Sequence, residues 1–471
     1  MRFRGTFFLL IACVVVIGAL YFHEKLGERR EKAKDAETRL WDIDTPESIV
    51  RINLFSGELR IIAERRPENR WLLTAPQQYD ADTEELNRLA GDAANLRRES
   101  IVETDSADPG RFGLRPAGSG IKLTLDDGRE YELEFGIVNP TGKFTYAAIG
   151  GTNDIFMIPV ETAESFNRRV EDLRDRTILR FERQDIQSLR IMSPKGLIDL
   201  VKDRDSDWWF SGIEKRAASG PDVRTILNAL SLEKITGFFN DTVDEYENHR
   251  LDRPLIEVTL LKNEDRTERL IIGNEKSLLR RKRPDSGQPV SGQDDDAGAA
   301  YLARSDSRPD LFFVGQSLID KLLVSANDVR NESIAFFQRW NVDTIELKNS
   351  RGNFKFIKSG GEWFFGDEGV KADREAVYGI LDALEKPVID WIDEPAAAER
   401  YGLDRPSIHV ILKQGDAVMV ECSVGKKSEN GIYVMIAGDG SVKLADPKIM
   451  EALDRDKSAF VEVSTEPSSA G

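Results

Sequence analysis

Two cysteines in a chain of 471 residues cannot build a disulfide framework, a zinc cluster or a Cys-x-x-Cys redox motif. Cys13 lies within an apolar N-terminal stretch, and Cys422 shares the parity of Val418, Val420 and Val424, which places it on the inward side of an expected strand. Histidine is as scarce, with three in all. His23 borders the apolar stretch, His249 precedes Arg250 in a turn region and His409 alternates outward on a strand, so none has a partner motif for general-base chemistry. Positive charge is in deficit: 66 Lys and Arg against 83 Asp and Glu give a net charge of −17. That balance argues against a nucleic-acid partner, which needs clustered cations to displace counterions from phosphates.

What the chain has is one uncharged segment from Gly5 to Phe22, 18 residues that span about 27 Å as a helix, close to the thickness of a bilayer core. No Ala-x-Ala signature follows it, so an uncleaved anchor is expected rather than a signal peptide. Leu10 to Cys13 superficially form a lipoprotein box, but too few apolar residues precede the cysteine. Basic residues flank both ends, with the larger number at Lys25, Arg29, Arg30, Lys32 and Lys34, so charge alone does not orient the segment. The densely charged residues that follow read as a solvated stalk.

Downstream, one pattern recurs three times. A tryptophan (Trp71, Trp208, Trp363) precedes a helix cap (Asp82, Ser219, Asp373), and a proline (Pro116, Pro254, Pro406) follows the cap by 34, 35 and 33 residues. After each cap the apolar residues keep helical spacing: Leu86, Leu89, Ala90, Ala93; Val223, Ile226, Leu227, Leu230; Val377, Ile380, Leu381, Leu384. Asp82 with Glu85 reads as a capping box. After each proline the period becomes two, as in Ile121, Leu123, Leu125 returning through Asp127-Gly128 to Tyr131, Leu133, Phe135, which predicts a half-buried hairpin. A glycine closes each hairpin (Gly136, Gly273, Gly425), and a tyrosine opens the next strand (Tyr146, Tyr301, Tyr433).

The fold class that follows is α+β: a transmembrane helix, then three tandem modules, each a small mostly antiparallel sheet with packed helices. The expected divisions are a short tail 1–4, the membrane helix 5–22, a charged stalk 23–47, modules 48–178, 179–331 and 332–463, and a disordered tail 464–471. The glycine-to-tyrosine distance is 10 residues in the first copy and 28 in the second, so an insertion at 274–300 is expected as a surface loop. A phrase at 177–191 reappears at 333–347, and Lys457 to Phe460 read as its third beginning. No Gly/Ser linker separates the copies.

Candidate chemistry is sparse. Gly136 to Lys143 resembles a phosphate loop only in outline, because five residues separate its glycines, Phe144 stands where Ser or Thr is needed and a strand follows. Asp294, Asp295 and Asp296 are consecutive and lack the alternating spacing of a calcium loop. No catalytic residue, metal ligand or cofactor is assigned. Two features remain as interaction candidates: the basic run Arg280, Arg281, Lys282, Arg283, suited to anionic lipid or a partner, and the aromatic residues Trp71, Trp208, Trp209, Trp363 and Phe364, which serve either as stacking platforms or as core.

The phrase Tyr401-Gly402-Leu403-Asp404-Arg405-Pro406, echoed at Phe112 to Pro116 and at Arg250 to Pro254, resembles the bacterial family called domain of unknown function 4340, as do Ala81-Asp82 and Ala372-Asp373 at the helix starts. The resemblance covers about residues 48 to 463; the middle copy departs most, lacking the glycine before Leu251 and the Ala-Asp pair. It implies a single-pass protein of the bacterial inner membrane, with the bulk of the chain extracytoplasmic. It also implies partners among the integral subunits of ABC-type export systems, some linked to gliding motility, and it carries no catalytic residues. The expected function is therefore a noncatalytic, membrane-anchored accessory or scaffold protein. A module for envelope polysaccharide or peptide is the alternative, and a hydrolase built on Asp/Glu pairs comes third.

Overall fold

A computed structural model describes residues 38–213, 215–239, 251–263, 266–277, 300–366, 369–392 and 398–461. Its contacts divide the chain into two units, one ending at Arg176 and one starting at Thr177. The first unit holds one sheet and the second holds two.

Sheet one contains β1 (Ile49–Ser56), β2 (Leu59–Arg66), β3 (Arg70–Ala75), β4 (Tyr79–Asp80), β5 (Ser100–Glu103), β6 (Ser119–Leu125), β7 (Glu130–Val138), β8 (Phe144–Ile149) and β9 (Ile155–Pro159). Their order across the sheet is β4-β3-β2-β1-β6-β7-β8-β9-β5, and every pairing is antiparallel. Two meanders thus meet at β1 and β6, while helix α1 (Thr83–Ala94) carries the chain from the β4 edge to the β5 edge.

Sheet two repeats this with β10 (Ile186–Ser193), β11 (Gly196–Lys202), β12 (Trp208–Phe210), helix α2 (Gly220–Leu232), β13 (Gly237–Phe238), β14 (Ile256–Lys262), β15 (Thr267–Ser277), β16 (Ala300–Ser305) and β17 (Arg308–Gly315). The order is β12-β11-β10-β14-β15-β16-β17-β13, and the counterpart of β4 shrinks to a single bridge between Trp209 and Ala217. Sheet three comprises β18 (Thr344–Asn349), β19 (Gly352–Ser359), β20 (Glu362–Phe365), β21 (Val370–Lys371), helix α3 (Arg374–Glu385), β22 (Val388–Ile392), β23 (Ile408–Gln414), β24 (Ala417–Lys427), β25 (Ile432–Ile436) and β26 (Val442–Ala445), in the order β21-β20-β19-β18-β23-β24-β25-β26-β22. One topology occurs three times, and the copies differ only in detail.

The helices start where their caps predict. Asp82, Ser219 and Asp373 each accept from the amide three residues on, satisfying a donor the first turn leaves orphaned. The apolar stripe of each helix is buried against its own sheet. The capping box is only half present: the Asp82 amide donates to the Leu173 carbonyl at 2.8 Å, and the Glu85 carboxylate turns to Arg88 and Arg168. The same amide contact recurs from Ser219 to Val329 and from Asp373 to Phe460, so the end of each module clips the start of its helix. Phe460 is therefore the counterpart of Leu173 and Val329, and Lys457 to Phe460 close the third module instead of beginning a further phrase.

Three other expectations change. The last part of the predicted stalk belongs to the first sheet: Trp41 and Ile43 are buried in its core, and the Trp41 indole donates to the Ala93 carbonyl at 2.8 Å. The bridge Arg39–Arg97 matches Thr177–Lys234 and Ser333–Pro387, so each module opens with the same pairing. The insertion is shorter at both ends than 274–300, because β15 runs on to Ser277 and β16 begins at Ala300. Parity also shifts at bulges: Val418 turns outward where the β23–β24 register slips between Leu412 and Lys413.

No helix among the described residues is long and apolar enough to cross a membrane. The segment Gly5 to Phe22 lies outside the described residues, as do residues 23–37 of the expected stalk and the tail 464–471.

Candidate functional site

The three repeated tryptophans are core residues. Trp71, Trp208 and Trp363 are buried in the clusters of sheets one, two and three respectively. The Trp71 indole donates to Asn87 Oδ1 at 2.8 Å, and the Arg65 guanidinium lies 4.5 Å from its ring centre. Burial pulls the Arg65 pKa down, with Glu47 opposing. Trp208 and Trp363 anchor the chain before the helix through their carbonyls, which accept from Ala218 and Ala372 at 2.8 Å. None of the three rings offers an open face for stacking a ligand. Arg280, Arg281, Lys282 and Arg283, the Asp294 to Asp296 run, His23 and His249 lie outside the described residues.

The remaining sequence candidates resolve into structure. Asn139 to Gly142 form the turn between β7 and β8, where the Gly142 amide donates to Asn139 O at 2.9 Å and a strand follows, so no helix N-terminus is there to hold phosphate. His409 sits half-buried on the outer face of sheet three with Nε2 3.0 Å from Glu421 Oε1. Among the described residues no group of His, Cys, Asp and Glu is arranged to hold a metal ion.

The phrase at Phe112-Gly113-Leu114 and Tyr401-Gly402-Leu403 has a specific geometry. Gly113 N donates to Gly110 O and Leu114 N to Pro109 O; Gly402 N donates to Glu399 O and Leu403 N to Ala398 O. These are the two bonds of a Schellman turn, whose glycine takes the left-handed conformation, here φ +71° in both modules. A Cβ on Gly136 would stand 2.1 Å from the Phe112 carbonyl oxygen, and one on Gly425 would stand 2.2 Å from that of Tyr401. The hairpin glycine and the phrase are thus two halves of one contact. Phe112 packs on Tyr146 with ring centres 4.9 Å apart, and Tyr401 on Tyr433 at 4.5 Å, forming a small second core on the sheet's other face. In the middle module Leu302 takes the place of that tyrosine, because a wider bulge on β15 moves Tyr301 by one position into the main core.

A cleft in the second unit gathers polar groups that the sequence reading did not single out. Trp209, Lys215, Arg216, Arg330, Asp439 and Lys443 line it, between sheets two and three. Asp439 is buried there and receives Lys443 Nζ at 2.8 Å, Arg216 Nε at 3.3 Å and Ser441 Oγ at 2.7 Å. The enclosed space among these side chains is about that of one water molecule. The signal for it was present but weak: a lysine between Val442 and Leu444 on an inward strand position.

The model of a family described as a domain of unknown function, DUF4340, matches residues 71–254 and 363–465. The chain belongs to this family. In this DUF4340 protein the two matched segments start at Trp71 and Trp363, equivalent positions on β3 and β20. The glycine phrases at Phe112 to Leu114 and Tyr401 to Leu403, which form the contact just described, lie within the matched segments. No curated protein and no solved structure is significantly similar to the chain.

Proposed function

We propose that the chain is a membrane-anchored, noncatalytic, extracytoplasmic accessory protein that contacts the integral subunits of an ABC-type transport system. The observation that carries this reading is the uncharged, membrane-length segment Gly5 to Phe22 placed ahead of three sheet modules of one topology. Tandem modules of one design repeat the same kind of surface for protein contact, and the transporter partner is what the resemblance to DUF4340 implies. The segment 5–22 is read as a single transmembrane helix in the bacterial inner membrane, with the modules on the outer side of it.

Affinity capture of the full chain from solubilised membranes tests the proposal. Recovery of a permease subunit is the expected result; repeated recovery of the chain with no integral membrane partner sinks it. Alkaline washing tests the anchor separately, since a spanning helix keeps the chain in the pellet. The alternative of a polysaccharide- or peptide-binding module drew on five aromatic residues as platforms; Trp71, Trp208 and Trp363 are buried and offer no such surface, and Trp209 and Phe364 are the partly exposed rings of that set.

A further inference from the structure

Lys443 stands where the other two modules carry phenylalanine. Val434 pairs with Lys443 across β25 and β26, just as Ala147 pairs with Phe156 and Ala303 with Phe312. The preceding strands agree, since Val424, Phe135 and Ile272 pair with Val434, Ala147 and Ala303. Phe156 and Phe312 are core residues of their sheets. Lys443 is buried nearly as fully, at 5% exposed against 3% for Phe156 and 0% for Phe312, and its ammonium reaches Asp439 Oδ2 at 2.8 Å, Ile334 O at 2.6 Å and Ser333 O at 3.5 Å.

Ser333 and Ile334 open the third module itself, so Lys443 and Asp439 are fixed within that module, and Arg216 is the group that reaches them from the second. Asp439, 2% exposed, lies in the turn between β25 and β26 and accepts from Arg216 of the second module, at both its carboxylate and its carbonyl. Around this centre Trp209 and Phe336 pack edge to face with ring centres 5.5 Å apart at 77°, the Gln338 amide donates to Asp207 Oδ2 at 2.9 Å, and Lys215 N donates to Gly438 O at 3.2 Å.

A buried ion cluster carries a large desolvation cost, and phenylalanine in the same place stabilises without it. What the cluster adds is direction: an apolar contact slides, whereas a carboxylate shared between a guanidinium and an ammonium is met in one geometry. We propose that Arg216, Asp439 and Lys443 form a registration lock that fixes the third module at one angle on the second, so that the two behave as a single rigid body. The lock is independent of any transporter partner and of the membrane anchor.

The test uses the full chain, with Cys13→Ser and spin labels at Leu197→Cys on the second module and Val418→Cys on the third, both exposed positions. Electron–electron distance measurement gives one narrow distribution for the intact lock. Arg216→Gln, which leaves the Lys443–Asp439 pair in place, loses that single distance for a broad one, while circular dichroism is unchanged. The pair Lys443→Phe with Asp439→Asn broadens it as well, with thermal stability retained or raised. Narrow distributions in folded forms of both variants overturn the lock. If the double variant does not fold, Arg216→Gln decides alone.

Discussion

Trp71 and Trp363 hold equivalent positions but end differently at the indole nitrogen. In the first module Asn87, on the fifth position after the helix cap, accepts the Trp71 Nε1 proton. In the third module Tyr378 occupies that position, and Trp363 Nε1 has no hydrogen-bond partner among the described residues. Asn87→Ala therefore strands a buried donor and is expected to cost about 1–3 kcal/mol, read as a lower denaturation midpoint with an unchanged slope. Tyr378→Ala carries no such penalty at the indole. Cys422 gives a pH-dependent prediction of its own. Burial pushes its thiol from 9.0 up to about 12, with Lys443 opposing. A raised pKa favours the protonated form in the folded state, so the contribution is complete below pH 9 and is lost as pH rises toward 12. Cys422→Ala should flatten the fall of stability across that window in pH-dependent denaturation. The thiol of the native protein should resist alkylation until the third module opens. The inward setting of Cys422 was readable from its parity with Val420 and Val424. The bond from Trp71 to Asn87 was not, because it joins a strand to a helix and leaves no local pattern.

Elements were the most legible scale, since periodicity is what the chain repeats. Helix stripes at Leu86 to Ala93, Val223 to Leu230 and Val377 to Leu384 and hairpins at Ile121 to Phe135, Ile256 to Ile272 and Ile408 to Val420 are buried or paired as their spacing predicts. Bulges escaped, because one added residue changes neither composition nor capping yet reverses the facing of all that follows. That is why Val418 points out and why Leu302, not Tyr301, matches Tyr146 and Tyr433. The Schellman turn yields the sharpest test at this scale. Gly425→Ala places a methyl against the Tyr401 carbonyl, and the strain is expected to cost about 1–3 kcal/mol or more. Asp373→Ala removes only a cap and should cost about 1 kcal/mol. Chemical denaturation that ranks the two in the reverse order would contradict the contact between hairpin and phrase.

At the scale of the molecule the repeat was plain from three tryptophans, three caps and three prolines, yet its edges were misjudged on one side. Dense charge from Glu24 to Asp44 hides the fact that Trp41 and Ile43 are core residues, because their neighbours on both sides are polar. The opening bridge at Arg39 shows that a module starts before its first strand, at the position Thr177 and Ser333 hold in the later copies. The buried Asp439 was invisible for a different reason: one carboxylate among 83 acidic residues carries no mark until the fold brings Arg216 to it from 223 positions away. If each opening segment completes its module, the first sheet depends on residues that composition assigns to a stalk. Trp41→Ala removes a buried indole and its bond to Ala93, so about 3–5 kcal/mol is the expected loss. Hydrogen exchange on the full chain locates that loss: amides of α1 and of the β1–β6 pairing should exchange faster than in the unaltered protein. Protection unchanged across residues 49–125 would instead leave 38–47 as an appendage of the first module and undo the equivalence with Thr177 and Ser333.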